Sequence, residues 1–378
     1  HCPKKFTSPM GGLSLARAAR GLLWTSLLQS LAESTQSASF SASQEECFVT
    51  PQLVVVDVSP YVQFENHTDA DRSSVADAWN SAFSTLGVAQ IIGHGVPTSL
   101  ISSVREEAAA FFARPNEEKA SFTYGEYGNS KGGYTAMGVE AVAQSVEGVE
   151  APHDLVENFV FRCEENGPGM EPPASAGGWD RTPFPSAEQY VVHMERVLRT
   201  LHKISADALG LEDRHYFDSF YTRPNGNALR LAHYPPLPAD AHAGQVRYGE
   251  HTDYSGYTLL NQDPDDSEGA GGLQVQDPET KQWVPVPPVA ENGEAGFVIN
   301  IGDLWKRWTN DRWTATNHRV TNPREGSEAA KKSRLSVVFF TGPRSDAMID
   351  TLPGQGESKH APISAGEHLR QKLARSNV

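Results

Sequence analysis

The chain is 378 residues long, enough to bury a large core in one large domain or two modest ones. A formal net charge of −15 argues against a nucleic-acid or anionic-membrane surface, because such partners require clustered Lys and Arg. No stretch is apolar over the length a membrane span needs. The three cysteines, Cys2, Cys47 and Cys163, show no metal-ligand spacing and read as free thiols of a reducing compartment.

Residues 1–51 differ from the rest. Leu13 to Leu31 carries Arg17 and Arg20, no acidic residue precedes Glu33, and Ser34 to Ser43 is rich in Ser and Ala. This reads as a targeting-like or disordered extension, similar in composition to an organelle transit peptide. A secretory signal with Gly21 to Leu28 as its apolar region is the alternative, weakened by Thr25 and Ser26. The expected location is intracellular, cytoplasmic or organellar.

Residues 52–225 read as an N-terminal α/β region packed on the core. Leu53 to Val58 predicts a strand, Asp71 to Leu86 a helix ended by Gly87, and Val88 to Ile92 a buried strand. Pro97 opens a helix carrying Leu100, Ile101, Val104, Ala108, Phe111 and Phe112, with Pro115 after its end. Tyr124 to Gly138, rich in Gly and Tyr, predicts a long loop. Leu155 to Phe161 predicts a strand, and Asn166 to Pro185 a Gly/Pro-rich connection. Ser186 starts the longest helix, with Tyr190, Met194, Val197, Leu198, Leu201 and Ile204 at helical spacing and Gly210 as its stop. His193 and Glu195 lie two residues apart on it, point to nearly opposite sides, and are no ligand pair.

From Ala228 the period changes to two. Leu229 to Tyr234, Arg247 to Asp253, Thr258 to Gln262, Leu273 to Gln276, Trp283 to Val286, Phe297 to Ile301, Thr316 to Thr321 and Arg334 to Thr341 read as strands. Eight short strands with Gly, Pro and Asp turns suit a jelly roll. The expected fold is mainly β with flanking helices around a core at 226–345. Asp263 to Gly272 reads as an acidic surface loop. Residues 346–378 form a C-terminal segment in which Ser364-Ala365-Gly366-Glu367 is a capping-box pattern before a short helix.

The chemistry-bearing pattern lies on these strands. His251-Thr252-Asp253 and the distant His318 supply two imidazoles and one carboxylate, the facial ligand set that leaves open positions on Fe(II). Residues i and i+2 of a strand share a face, with Cα atoms about 7 Å apart, so His251 and Asp253 can converge on one ion. By the same rule Arg334 and Ser336 share a face, and Leu335 points the other way into packing. A planar fork of donors and a hydroxyl suit the far end of a dicarboxylate co-substrate. The tripeptide alone is a weak signal. His67-Thr68-Asp69 repeats it, followed by Arg72-Ser73-Ser74, but precedes the apolar-periodic run Val75, Ala76, Trp79, Phe83 and reads as a helix cap. Asn66-His67-Thr68 is a glycosylation pattern of the kind common by chance. His94, between glycines, reads as structural. Trp305, Trp308 and Trp313 read as packing; Phe159, Phe161 and Phe340 read as core or pocket lining.

The chain resembles the Fe(II)/2-oxoglutarate-dependent dioxygenases of the isopenicillin N synthase-like group, over roughly Gln52 to Val378. The first half carries Val55-Val56-Asp57-Val58-Ser59, Gly93-His94-Gly95-Val96-Pro97, Phe111-Phe112 and Pro115-Asn116-Glu117-Glu118-Lys119. The second carries His233-Tyr234-Pro235-Pro236, His251-Thr252-Asp253, Gly271-Gly272-Leu273-Gln274-Val275, Asn300-Ile301-Gly302-Asp303, Asn317-His318-Arg319-Val320 and Arg334-Leu335-Ser336. The resemblance implies a double-stranded β-helix, a jelly roll, with helices around it. It implies that His251, Asp253 and His318 bind Fe(II), that Arg334 and Ser336 hold the distal carboxylate of 2-oxoglutarate, and that Tyr234 assists. Ala232 and His233 depart from the Asn and Tyr frequent there, and Arg324 to Lys332 lengthens the approach to Arg334 as a surface loop.

The activity implied is oxidative decarboxylation of 2-oxoglutarate, with O2 as second co-substrate and ascorbate as an optional reductant, coupled to hydroxylation or desaturation of a small organic substrate by a monomer. A 2-oxoglutarate-independent oxidase of the same fold is one alternative, separated by succinate formation. A non-catalytic jelly-roll binding protein would require a lost ligand, and none is lost. A zinc hydrolase is conceivable for His₂Asp, but Arg-x-Ser argues against it. Tyr124 to Ala151 and the segment after Phe340 would shape the substrate site. Residues before about Gln52 are expected to be dispensable for folding. A chain starting near Glu46 should match the full chain in melting temperature and activity; a clear loss of both would show that the extension packs on the domain.

Overall fold

The computed structural model describes residues 53–123, 132–145, 152–163, 170–171, 182–239, 241, 244–264 and 272–374. The expectations for residues 1–51 lie outside this set. In chain order the first half forms β1 (Val54–Asp57), α1 (Ser59–Val62), α2 (Asp69–Thr85), β2 (Val88–Ile92), α3 (Thr98–Phe112), α4 (Asn116–Ala120), β3 (Gly133–Thr135), β4 (Glu157–Cys163), β5 (Met170–Glu171) and α5 (Ala187–Leu209). The second half forms β6 (Ala228–Tyr234), β7 (Tyr248–His251), β8 (Tyr257–Asn261), β9 (Gly272–Gln276), β10 (Trp283–Pro285), β11 (Ala290–Glu291), β12 (Glu294–Ala295), β13 (Phe297–Ile301), α6 (Asp303–Trp308), β14 (His318–Thr321), β15 (Arg334–Phe340), β16 (Met348–Ile349), β17 (Ile363–Ser364) and α7 (Ala365–Leu373).

The alternation along β15 explains the architecture. Leu335, Val337 and Phe339 join an apolar core with residues of α2, α3 and α5 on one side. Val338 and Phe340 turn the other way and meet Leu273, Val275, Val284 and Val286 of a second sheet. This strand therefore buries two faces, one against helices and one against a facing sheet. The large sheet runs β1-β2-β13-β8-β15-β6-β4-β3, with β5 beside β4, and the facing sheet runs β10-β9-β14-β7. The eight strands predicted for the core divide between them: β13, β8, β15 and β6 in one, β10, β9, β14 and β7 in the other. This is the jelly roll. Among the described residues, β1 and β2 extend the large sheet from the N-terminal region as its parallel pair.

Local chemistry sets the helix ends. Thr68 caps α2: its hydroxyl accepts from Asp71 N (3.2 Å), and the Asp71 carboxylate accepts from Thr68 N (2.8 Å). The decoy His-Thr-Asp is thus a helix start. Gly87 follows at φ +73, where a Cβ would sit 2.1 Å from the Thr314 carbonyl oxygen, so no other residue fits. Gly210 ends α5 in the left-handed region, as its position predicts. At α7 only half of the capping box forms. Ser364 accepts from Glu367 N, while the Glu367 carboxylate turns to Arg370 and Gln371.

Several expectations change. The predicted loop Tyr124 to Gly138 contains β3, which pairs with β4; residues 124–131 are outside the described set. Glycine and tyrosine gave no strand pattern, and the pairing that makes the strand is non-local. Within Asn166 to Pro185, β5 forms. Asn116–Ala120 is a helix, although Pro115 read only as a stop. Arg324 to Lys332 is not a bare loop: Glu328–Lys331 coils into a 3-10 turn capped by Ser327, and the Ala330 carbonyl accepts from Leu237 N (2.8 Å). Asp263 does not dangle in a surface loop; it accepts from Leu335 N (2.9 Å) and pairs with Arg105 (3.1 Å). No helix among the described residues is long and apolar enough to cross a membrane.

Trp79 joins helices to sheet. It is fully buried against Phe83 and Tyr257, and its indole N–H donates to Ser205 Oγ (3.0 Å), itself 2.6 Å from the Tyr257 hydroxyl. Trp79→Ala should cost about 3–5 kcal/mol in a denaturant titration, from lost burial plus an unfilled cavity. A cost under about 1 kcal/mol would show that the α2–α5–β8 contact is not what holds the helical layer.

Candidate active site

His251 and His318 meet because β7 and β14 pair antiparallel with those two residues in register. Their rings lie 4.2 Å apart between centroids. Asp253 is not on the strand, contrary to the period-two argument: β7 stops at His251. Asp253 sits in the turn beyond, braced where its carbonyl accepts from Asp303 N (2.9 Å) and where Gly302 N donates to the Gly256 carbonyl (2.7 Å). The turn still delivers it. Asp253 Oδ1 lies 3.7 Å from His251 Nε2 and 3.8 Å from His318 Nε2. One ligand atom from each of the three residues falls within 4.8 Å of the others.

The remaining polar atoms of these side chains are already engaged. His251 Nδ1 donates to the Gly249 carbonyl (2.9 Å) and His318 Nδ1 to the Thr316 carbonyl (3.1 Å). A carbonyl can only accept, so each ring carries its proton on Nδ1 and presents a bare Nε2. Asp253 Oδ2 accepts from Thr258 Oγ1 and from Asn300 Nδ2 (2.5 Å), leaving Oδ1 to face the imidazoles. Burial, reinforced by His318, holds the His251 imidazole well below the usual histidine range. Burial by itself would raise the Asp253 carboxyl. The two imidazoles and the Thr258 and Asn300 bonds outweigh it and keep Asp253 below the usual carboxylate range. Two neutral nitrogens and one carboxylate oxygen on one side of a point fit a divalent first-row metal with positions to spare.

Arg334 opens β15 opposite Tyr234 at the end of β6, and its guanidinium lies 5.2 Å from the Tyr234 ring centroid. It donates to Ser336 Oγ and to Gln262 Oε1 (3.3 Å). Arg334, Ser336, Gln262 and Tyr234 are all buried. Thr258, opposite both Asn300 and Phe340, shares the inner face of the large sheet with Arg334 and Ser336. The metal-ligand set and the Arg-x-Ser pair therefore open into one interior. From outside, Arg105 clamps the start of β15 through the Leu335 carbonyl (3.1 Å) and Asp263.

A family model described as the 2OG-Fe(II) oxygenase superfamily matches residues 225–343, and one described as the non-haem dioxygenase in morphine synthesis N-terminal region matches residues 54–178. The 2-oxoglutarate-dependent dioxygenase htyE of Aspergillus rugulosus is 31% identical over 332 residues, which cover 81% of this chain and 93% of that protein. The 2-oxoglutarate-dependent dioxygenase citB of Monascus ruber is 32% identical, covering 85% and 94%. Full-length Neurospora crassa T7H, solved in complex with alpha-KG, superposes with a TM-score of 0.71 at 30% identity, covering 85% of this chain and 95% of that one. The chain belongs to the 2OG-Fe(II) oxygenase superfamily. It is a 2-oxoglutarate-dependent dioxygenase, using Fe(II), 2-oxoglutarate and O2.

Other residues fall where packing puts them. In the dioxygenase His94 is structural: its Nδ1 accepts from Val96 N (3.1 Å) and its Nε2 lies 2.8 Å from the Ala295 carbonyl. Phe159, Phe161, Trp305, Trp308 and Trp313 are core, and Phe340 packs between the sheets. Glu195 binds Arg223 (2.8 Å) and has no part in a ligand pair with His193. The sequence reading missed Thr258, Asn300 and Gln262. Asn300 had a usable signal: an amide inside Phe297-Val298-Ile299-Asn300-Ile301 is buried on both sides and must find a partner. It also missed Asp154, which accepts from Val142 N (2.8 Å) and Gly249 N (2.8 Å) while burial pushes its carboxyl up to about 7. Nothing local marks Asp154, since its partners are backbone groups far along the chain.

If Thr258 and Asn300 aim the carboxylate, Thr258→Val and Asn300→Ala should each weaken Mn(II) affinity by about 10- to 100-fold, the usual effect of removing a group that orients a metal ligand. Calorimetric titration of the metal-free protein measures this. Unchanged affinity in both variants would show that Asp253 is aimed by its turn alone.

Proposed function

We propose that His251 Nε2, Asp253 Oδ1 and His318 Nε2 hold the Fe(II), that Arg334 and Ser336 bind the distal carboxylate of 2-oxoglutarate beside Tyr234, and that the reaction hydroxylates or desaturates a small organic molecule. The observation that carries the reading is the convergence of three ligand atoms whose companion atoms are all engaged elsewhere. When bound, the iron with 2-oxoglutarate and O2 supplies the oxidant that removes hydrogen from substrate, with succinate and CO2 as by-products. The carbonyls of Gly249 and Thr316 keep protons off the two coordinating nitrogens. The planar guanidinium of Arg334 matches a carboxylate in a way a lysine cannot, and burial strengthens that pair by excluding water. Action as a monomer inside the cell, with ascorbate as reductant, rests on the sequence reading alone.

Purified variants test the assignment. His251→Ala, Asp253→Ala and His318→Ala should each abolish succinate release while the circular-dichroism spectrum stays native; full activity in any one removes that residue from the site. Arg334→Lys should mainly raise the apparent KM for 2-oxoglutarate. Arg334→Ala should be worse, by about 2–5 kcal/mol, because a buried carboxylate then lacks its partner. Ser336→Ala should lose about 1 kcal/mol. Iron content should be unchanged in all three. Loss of iron with normal 2-oxoglutarate affinity would move Arg334 to the metal centre.

A further inference from the structure

A second polar cluster faces the same interior. Thr135 of β3 lies opposite Asn158 of β4, Asn158 opposite Ala232 of β6, and Ala232 opposite Ser336 of β15. These four form one row across the inner face, with only the short Ala232 side chain between Asn158 and Ser336. Asn158 Nδ2 donates to Glu140 Oε1 (2.8 Å), and Glu140 Oε2 accepts from Arg230 (2.8 Å). Arg230 also donates to the Tyr248 hydroxyl (3.2 Å) and lies 4.9 Å over its ring. The Tyr248 ring is 5.0 Å from the His251 ring. Contacts thus run unbroken from Asn158 to a residue of the metal-ligand set.

One atom in this cluster is unmatched. Asn158 is fully buried, and its Oδ1 has no hydrogen-bond partner. Buried amide oxygens are normally paired, so an orphan acceptor on the face that carries Ser336 marks a place for a donor that arrives with a ligand. The Arg230 guanidinium is already shared between Glu140 and Tyr248. Arg162, further along the same face of β4, adds a second cation beside Glu140, so the bare acceptor and not the net charge is what a ligand reads here. Neighbouring strands lie about 4.8 Å apart, so Asn158 stands about 10 Å from Ser336 across Ala232, a span a single small ring with a substituent can bridge.

Resting on the site assignment above, we propose that Asn158, held by Glu140 and Arg230, is the specificity-determining acceptor of this dioxygenase and takes an N–H or O–H donor of the substrate, an amide, lactam or alcohol. A site built to receive such a donor discriminates strongly against an analogue lacking it, because the acceptor is then left buried and bare.

The test is calorimetric, on full-length protein loaded with Mn(II) and 2-oxoglutarate so that no turnover occurs. The probes are 2-piperidone and cyclohexanol and their methylated counterparts N-methyl-2-piperidone and methoxycyclohexane. Each donor should bind at least about tenfold tighter than its methylated partner. Asn158→Leu should level each pair while leaving 2-oxoglutarate affinity unchanged, at a lower melting temperature because Glu140 Oε1 loses its donor. The wild-type comparison stands without the variant, should Asn158→Leu fail to fold. Equal binding of donor and methylated probes, or no binding of any probe to protein that holds Mn(II) and 2-oxoglutarate normally, would each overturn the proposal and leave the site assignment intact. Failure to hold Mn(II) or 2-oxoglutarate would overturn the assignment and this inference with it.

Discussion

The bonds from Thr258 and Asn300 to Asp253 Oδ2 decide how the rest of the centre works. Thr258 and Asn300 are cross-strand partners on β8 and β13 of the large sheet, whereas the two histidines belong to β7 and β14 of the facing sheet. Asp253 stands between, in the turn that leaves β7. Its carboxylate is therefore gripped by one sheet through Oδ2 and offered to the other through Oδ1. Any change in the spacing of the sheets would move Oδ1 away from both imidazoles. The apolar layer of Leu260, Leu273, Val275, Val284, Val286, Val298 and Val338 sets that spacing. Close packing makes such a layer stiff, so an apolar cluster with no chemistry of its own fixes the geometry of the ligand atoms.

The interior of the barrel is divided along the strands. On β15 the inward positions read Arg334, Ser336, Val338, Phe340, from polar to apolar, and on β13 they read Val298 then Asn300. In register, Phe340, Thr258 and Asn300 form one row and Val338, Leu260 and Val298 the next, so an apolar row separates the Thr258–Asn300 pair from Ser336 and Arg334. Carrying arginine, serine, asparagine and threonine inward opposes simple burial, since each such group must be matched by a partner. They are matched: Thr258 and Asn300 by Asp253, and Arg334 by Ser336 on its own strand and by Gln262, which is why these inward groups are ordered.

This arrangement explains what could be read from the sequence. Period-two patterning and turn residues located all eight core strands, because each needs only local information. The convergence of His251, Asp253 and His318 was legible in their residue types, because few other combinations suit a divalent metal with open positions. How Asp253 arrives was not legible. The strand rule placed it beside His251 on a continuous strand, yet the chain leaves the strand and a turn braced by Gly302 and Asp303 does the aiming. Thr258 and Asn300 escaped for a related reason. Their role depends on the register of β8 against β13, and register is set by pairing across the fold rather than by either segment. β3 was hidden in a run of glycine and tyrosine for the same cause.

Asp154 shows how far from the metal the same logic reaches. Its carboxylate accepts two backbone N–H groups, one from Val142 and one from Gly249. The Gly249 peptide then uses its carbonyl to hold His251 Nδ1. Gly249 also has to be glycine, since a Cβ would lie 2.6 Å from that of Ala143. The segment carrying Glu140 and Val142 is thereby tied to the strand that carries His251, with Asp154 N completing the knot through the Glu140 carbonyl (2.8 Å). The residues beside Asn158 and the residues that orient the metal ligand are therefore not independent layers. A strain that a substrate placed on Glu140 would pass through Asp154 to Gly249, one hydrogen bond from the imidazole, so the two ends of this network are linked by the fold itself.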